Sequence, residues 1–160
     1  MNEQLAKQII EMRDIDQELR LKAKPGKELI NYVIYTVDGV HNQRVHQLIK
    51  KHGFPTKELV GEEALSAFWL LIQHQDYDLD LQEECLKNCD FEKKDFAHLT
   101  DRVRVNGGKP QLFGTQFFRD KDGTLKPRPI EDEGGLEKRR VEHGLEPFEE
   151  YKKRMLDRNK

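Results

Sequence analysis

Two groups of side chains in this chain have the make-up of a reaction site. The first is Gln73-His74-Gln75-Asp76, where a histidine and a carboxylate sit two positions apart. An imidazole oriented by a nearby carboxylate is suited to general acid/base work, so His74 is the candidate catalytic acid/base and Asp76 the group that would orient it. The second is the stretch 101–116, DRVRVNGGKPQLFGTQ, which concentrates polar residues where a plain core segment would alternate. Glutamine side chains donate and accept at once, so Gln111 and Gln116, with Thr115, suit an amide, sugar or nucleobase ligand. Arg102 could hold an anionic group bidentately or lock its helix to a carboxylate such as Asp16. His52, in the turn His52-Gly53-Phe54-Pro55, completes the binding set.

These residues match no established reaction template. The chain has no Gly-x-Ser-x-Gly elbow, no phosphate-binding Walker loop, no dinucleotide glycine fingerprint and no His-Glu-x-x-His metal helix. Elimination leaves a hydrolase or group transferase acting on a polar small molecule or a nucleotide-like substrate. A metal variant would use His52, His74 and Asp76, with His46 as a further ligand, since three N/O ligands and an open position make a catalytic zinc site. No motif specifies a cofactor. The alternative is a non-catalytic ligand-binding or interaction module, in which the glutamines and Arg102 form a polar network that fixes the fold.

The elements that must position these groups are mostly helices. Residues 3–20 carry Leu5, Ile9, Met12 and Leu19 on one stripe, and Asp16 falls on it too. A buried carboxylate there requires a partner, and Arg20 is the nearest one in sequence. Lys24-Pro25-Gly26 breaks the pattern. Residues 27–52 are helical in period but contain β-prone Val33, Ile34, Thr36 and Val37 and an interruption at Asp38-Gly39, which leaves open one kinked helix or two. Gly53 and Pro55 end it, placing His52 at a helix C-terminus. The stretch 62–75 is apolar nearly all round and reads as the central helix, with His74 at its end.

Asp78 reads as the N-cap of a helix running to Cys89, and a short helix follows from Phe96 to Val105. Gln111–Phe118 alternates as a strand, which would send Gln111 and Thr115 to one face and Gln116 to the other unless Gly114 marks a bulge. Asp120-Lys121-Asp122-Gly123 is a hairpin turn, and the prolines at 127 and 129 limit the next segment to a short edge strand. Helices over 136–143 and from Glu146 complete the chain. The expected class is mainly α with a small antiparallel β-hairpin (α+β), in one domain over 1–160: helical 1–105, hairpin 109–130 and C-terminal helices 135–158.

Of the 160 residues, 36% are apolar and 36% charged, and the net charge is −2 with both signs interspersed. That balance disfavours nucleic acid as a partner, because a basic footprint is missing. No run approaches the ~18–20 apolar residues of a membrane span and the N-terminus has no signal-like core, so a cytoplasmic protein that does not enter the membrane is expected. The two cysteines, Cys85 and Cys89, read as small core residues. Oligomeric state is not specified.

The order of short motifs resembles the DUF6624-like family, a largely bacterial family of unknown function. The resemblance rests on Asp16-Gln17 with Arg20, on His52-Gly53-Phe54-Pro55 and Val60-Gly61, and on Gln73-His74-x-Asp76. It continues through Leu99-Thr100-Asp101-Arg102, Gly108-x-x-Gln111-x-x-Gly114-Thr115-Gln116 and Gly144-Leu145. It covers nearly the whole chain and implies the segmentation above without implying an activity. The family pattern has tryptophan in the His-Gly-Trp-Pro turn, where this chain has Phe54.

Overall fold

The computed structural model of the protein describes residues 1–22 and 28–158. The break expected at Lys24-Pro25-Gly26 lies outside them. The described residues are mainly helical with one two-stranded antiparallel sheet, and they form two compact units, Met1–Phe91 and Glu92–Lys160. Among them, no helix is long and apolar enough to cross a membrane.

The first unit contains α1 (Glu3–Lys22), α2 (Glu28–His52), a single turn α3 (Lys57–Val60), α4 (Glu62–Gln73) and α5 (Leu79–Asn88). Asn2 accepts the Leu5 amide at 3.0 Å and starts α1. Leu5, Ile9, Met12 and Asp16 recur at helical spacing and are all buried, so the stripe of α1 ends in a carboxylate. This face packs on α4, which buries Ala64, Leu65, Ala67, Phe68, Leu71 and Ile72 and is the central helix of the unit.

α2 is one continuous helix through Asp38-Gly39. Its β-prone residues are helical, and Thr36 satisfies its hydroxyl on the Tyr32 carbonyl at 2.9 Å, a helical bond. The residues α2 buries are Asp38, His41 and Val45, so the inward face of this helix is chiefly polar. Asp78 caps α5 by accepting the Leu81 amide at 3.1 Å, and the same carboxylate takes Asn42 and His46 of α2 at 2.8 Å each. Cys85 and Cys89 are free and buried.

The second unit contains α6 (Lys93–Asn106), β1 (Phe117–Arg119), β2 (Leu125–Pro127), a 3-10 turn (Glu133–Gly135), α7 (Leu136–Glu142) and α8 (Phe148–Arg158). α6 begins one turn before the expected Phe96. Its buried Ala97 packs with Phe113 of the loop before β1 and with Leu145. The hairpin pairs Phe117 with Pro127, Phe118 with Lys126 and Arg119 with Leu125. Its turn is closed by Asp120, whose Oδ1 accepts the amides of Asp122 and Thr124.

The expected strand Gln111–Phe118 is corrected. Only Phe117–Arg119 is strand, while Gln111 makes an isolated parallel bridge to Ile130 and residues 112–116 form a loop. The cause is Gly114, whose φ of 70° turns the chain out of the extended region. A Cβ there would lie 2.7 Å from the Phe148 ring, so the close approach that a glycine permits is made by α8.

Candidate functional site

The first unit gathers its ionisable groups where α1, α2 and the end of α4 meet. α4 delivers His74 as its C-cap, with the His74 amide bonded to the Leu71 carbonyl at 3.1 Å. The apolar length of α4 is buried, so the ring projects from a fixed support. Nδ1 of His74 lies 3.0 Å from both carboxylate oxygens of Asp16. The sequence places Asp76 as the orienting carboxylate. In the structure Asp76 lies on the exposed turn after the helix, and Asp16 in α1 places a carboxylate on the ring.

Asp16 is 2% exposed and needs compensation. Arg20 Nε donates to Oδ1 at 2.9 Å and Gln17 Nε2 to Oδ2 at 2.8 Å. The expected Asp16–Arg20 pairing one helical turn apart is thus present. Arg20 also reaches across to α2, where its Nη2 donates to Asp38 Oδ1 at 2.6 Å. One guanidinium therefore holds two buried carboxylates, and the His74 ring is a further hydrogen-bond partner of Asp16.

Burial alone would raise the Asp16 carboxyl, but the His74 bond and charge, then Gln17 and Arg20, outweigh it and hold the group below the ordinary 3.8. An ionised Asp16 only accepts, so Nδ1 of His74 must be the protonated nitrogen whenever the ring is neutral. Nε2 is then the lone-pair nitrogen. The ring is 20% exposed, so a small molecule can reach it. This arrangement can take a proton at Nε2 and return it while Nδ1 stays anchored.

His41, three residues after Asp38, is buried on the same helix face, and its Nδ1 has no hydrogen-bond partner among the described residues. Burial holds this imidazole below 6.5, with Asp16 and Asp38 pulling the other way. The Tyr77 hydroxyl lies 2.9 Å from both the Asp38 carbonyl and Gln75 Oε1, tying the turn after α4 to α2. His52, at the end of α2, lines a cavity of about 500 Å³ between α1 and α2, which His41 also lines and His74 does not. His46 is engaged by Asp78. Among the described residues no group of three His, Cys, Asp or Glu side chains is placed to hold a metal ion.

The polar stretch of the second unit is organised differently. Asp101 of α6 is fully buried, and its carboxylate accepts the amides of Leu112, Phe113 and Thr115 and the Thr115 hydroxyl at 2.7–3.2 Å. The carbonyls of the same loop are met from the other side. Arg139 Nε donates to Leu112 O at 2.9 Å, Arg140 to Phe113 O, and the Tyr151 hydroxyl to Thr115 O at 3.1 Å.

Gln111 is also fully buried. Its Oε1 accepts the Gln116 amide at 2.8 Å, while its Nε2 donates to the Gln116 and Arg128 carbonyls at 3.1 and 2.8 Å. The side-chain amide thus takes the place of a neighbouring strand. Gln116 Nε2 in turn donates to the Thr115 hydroxyl at 3.1 Å. Gln111, Thr115 and Gln116 are brought together, but chiefly by bonds to one another and to backbone. Arg102, on α6, is half-buried.

The sequence held a signal for Asp16, as a charge on an apolar stripe with arginine one turn later. It held a weaker one for Asp38 and His41, and none for Arg140, which stands in the charged run Glu137-Lys138-Arg139-Arg140 yet is fully buried.

Comparison with known proteins finds no match among curated proteins and none among solved structures. The model of a family described as a family of unknown function, DUF6624, matches residues 3–159. With nearly its whole length matched, this chain belongs to the DUF6624 family.

Proposed function

We propose that the protein is an enzyme, a hydrolase or group transferase, that uses His74 as general acid/base on a polar small molecule. The observation that carries this reading is the 3.0 Å contact between His74 Nδ1 and the buried carboxylate of Asp16 on a ring that remains reachable. Asp16 is a positioning residue, holding the tautomer and the ring plane so that Nε2 faces the reacting group. Arg20 and Gln17 help keep Asp16 ionised and fixed, and Asp38 anchors the far end of the Arg20 guanidinium. His74 takes the proton of an attacking hydroxyl or water at Nε2 and delivers it to the leaving group.

A second reading draws on the loop 112–116. The bonds of Gln111, Thr115 and Asp101 are directed at their own loop, which favours a structural role for this polar cluster. Substrate contacts in the proposed enzyme therefore do not draw on Gln111 or Thr115.

The test is a panel of chromogenic carboxylic esters, phosphomonoesters and nucleosides offered to the wild-type protein and to His74→Gln. Turnover of one class that falls about 100-fold or more in His74→Gln, with an unchanged Tm, is the expected result, since general acid/base groups contribute roughly 10²–10⁴-fold. Turnover equal in the two proteins overturns the assignment.

A further inference from the structure

The cavity between α1 and α2 is built from one face of each helix, and the His74 ring does not line it. Its floor is aliphatic, from Met12 and Ile15 of α1 and Val37, Val40 and Leu48 of α2. On α2 these alternate at helical spacing with polar residues, so the same face carries Arg44 and Lys51. Neither cation makes an ion pair with a described residue, and Glu11 is the one carboxylate in the wall. Two cations against one carboxylate leave a single unmatched positive charge beside an apolar floor.

His41, whose buried Nδ1 has no hydrogen-bond partner among the described residues, also lines the cavity. At about 500 Å³ the cavity falls in the range of small-molecule sites.

We propose that this cavity binds a free small monocarboxylate with an apolar body. The body lies on Met12, Ile15, Val40 and Leu48. The carboxylate is held by the planar fork of Arg44, with Lys51 beside it, a geometry in which a guanidinium makes two parallel bonds. The site is independent of the role proposed for His74.

The test uses 2-naphthoate and its neutral isostere 2-naphthamide, titrated into the full chain by calorimetry. The expected result is one bound 2-naphthoate per chain, with 2-naphthamide at least roughly tenfold weaker. Arg44→Gln, a change at an exposed residue, should remove that preference. Val40→Trp, at a half-exposed wall position, should block both probes. Binding should survive in His74→Gln, which keeps a failure here distinct from a failure of the catalytic reading. Equal affinity for acid and amide, no binding of either, or binding untouched by both Arg44→Gln and Val40→Trp overturns the proposal. A concentration-dependent dimer that Val40→Trp dissociates also overturns it, because the cavity would then be filled by a second copy.

Discussion

Asp16 and His74 are 58 positions apart in sequence, and their side chains meet at 3.0 Å. The contact joins the end of the apolar stripe of α1 to the end of the most buried helix of the first unit. Each helix is fixed by its own burial, so the carboxylate and the ring are held by their supports more than by each other. The same carboxylate carries the Arg20 bridge to Asp38, which makes Arg20 the hinge of the electrostatics.

Arg20→Met tests that balance. It leaves Asp16 with His74 and Gln17, and leaves the buried Asp38 carboxylate without its cation. Removing one member of a buried ionic group costs about 3–5 kcal/mol, and the partly exposed position of Arg20 argues for the lower end. An unfolding free energy from chemical denaturation that falls by less than about 1 kcal/mol would contradict the bridging role.

Asp101→Asn tests the clamp on the loop 112–116. The wild-type carboxylate only accepts, whereas an amide would point its own N–H groups at the amides of Leu112, Phe113 or Thr115. Losing charged acceptors in a buried site should cost about 2–4 kcal/mol. Amide exchange at residues 112–115 should accelerate together, and unchanged protection there would count against the clamp.

Gly114→Ala acts on the same loop by sterics. A methyl group would meet the Phe148 ring at 2.7 Å from a backbone with φ of 70°, so both the space and the dihedral oppose it. A loss of about 2–3 kcal/mol is expected from the overpacking and strain combined. Double substitution with Phe148→Ala should recover the steric part, and strictly additive costs would show that the ring contact is not the cause.

How much of this was legible beforehand follows from the kind of signal. Helices whose apolar residues recur at 3.6 spacing, such as α1 and α4, and turns with a local cause, such as Asp120–Gly123, could be read directly. Asp78 as a cap and Asp16 with Arg20 are also local, within four residues. The strand 111–118 was misread because alternation of Gln111, Phe113, Thr115 and Phe117 imitates a period of two, while positive φ at Gly114 and the bonds from Asp101 decide the backbone. Those bonds span 11–14 residues, and nothing in the sequence weighs them against the pattern. The partner of His74 was hidden for the same reason, since only the packing of α1 on α4 places Asp16 there. Arg140 was hidden by its neighbours in a charged run.

Acidification should weaken the fold in a defined window. His98 is pushed down from 6.5 to about 4, first by burial and then by the cations Lys94, Arg140, Arg154 and Arg102. His41 is held below 6.5 by burial. A lowered folded-state value means that the native protein binds fewer protons than the unfolded chain, so stability present above pH 6.5 is lost as pH falls toward 4. Asp16 adds its loss only below 3.8. Tm measured from pH 7 to pH 4 should therefore decline, and His98→Asn should flatten part of the decline. Identical slopes in the two proteins would contradict the assignment.

The role of His74 is tested most directly by chemical rescue. His74→Ala removes the ring but leaves α4 and the Asp16–Arg20–Asp38 bridge in place, and exogenous imidazole can then occupy the vacated position. If His74 transfers protons, turnover lost in His74→Ala returns with added imidazole in proportion to its free-base concentration. A folded His74→Ala protein that keeps wild-type turnover, or whose lost turnover imidazole does not restore at any pH, contradicts the account.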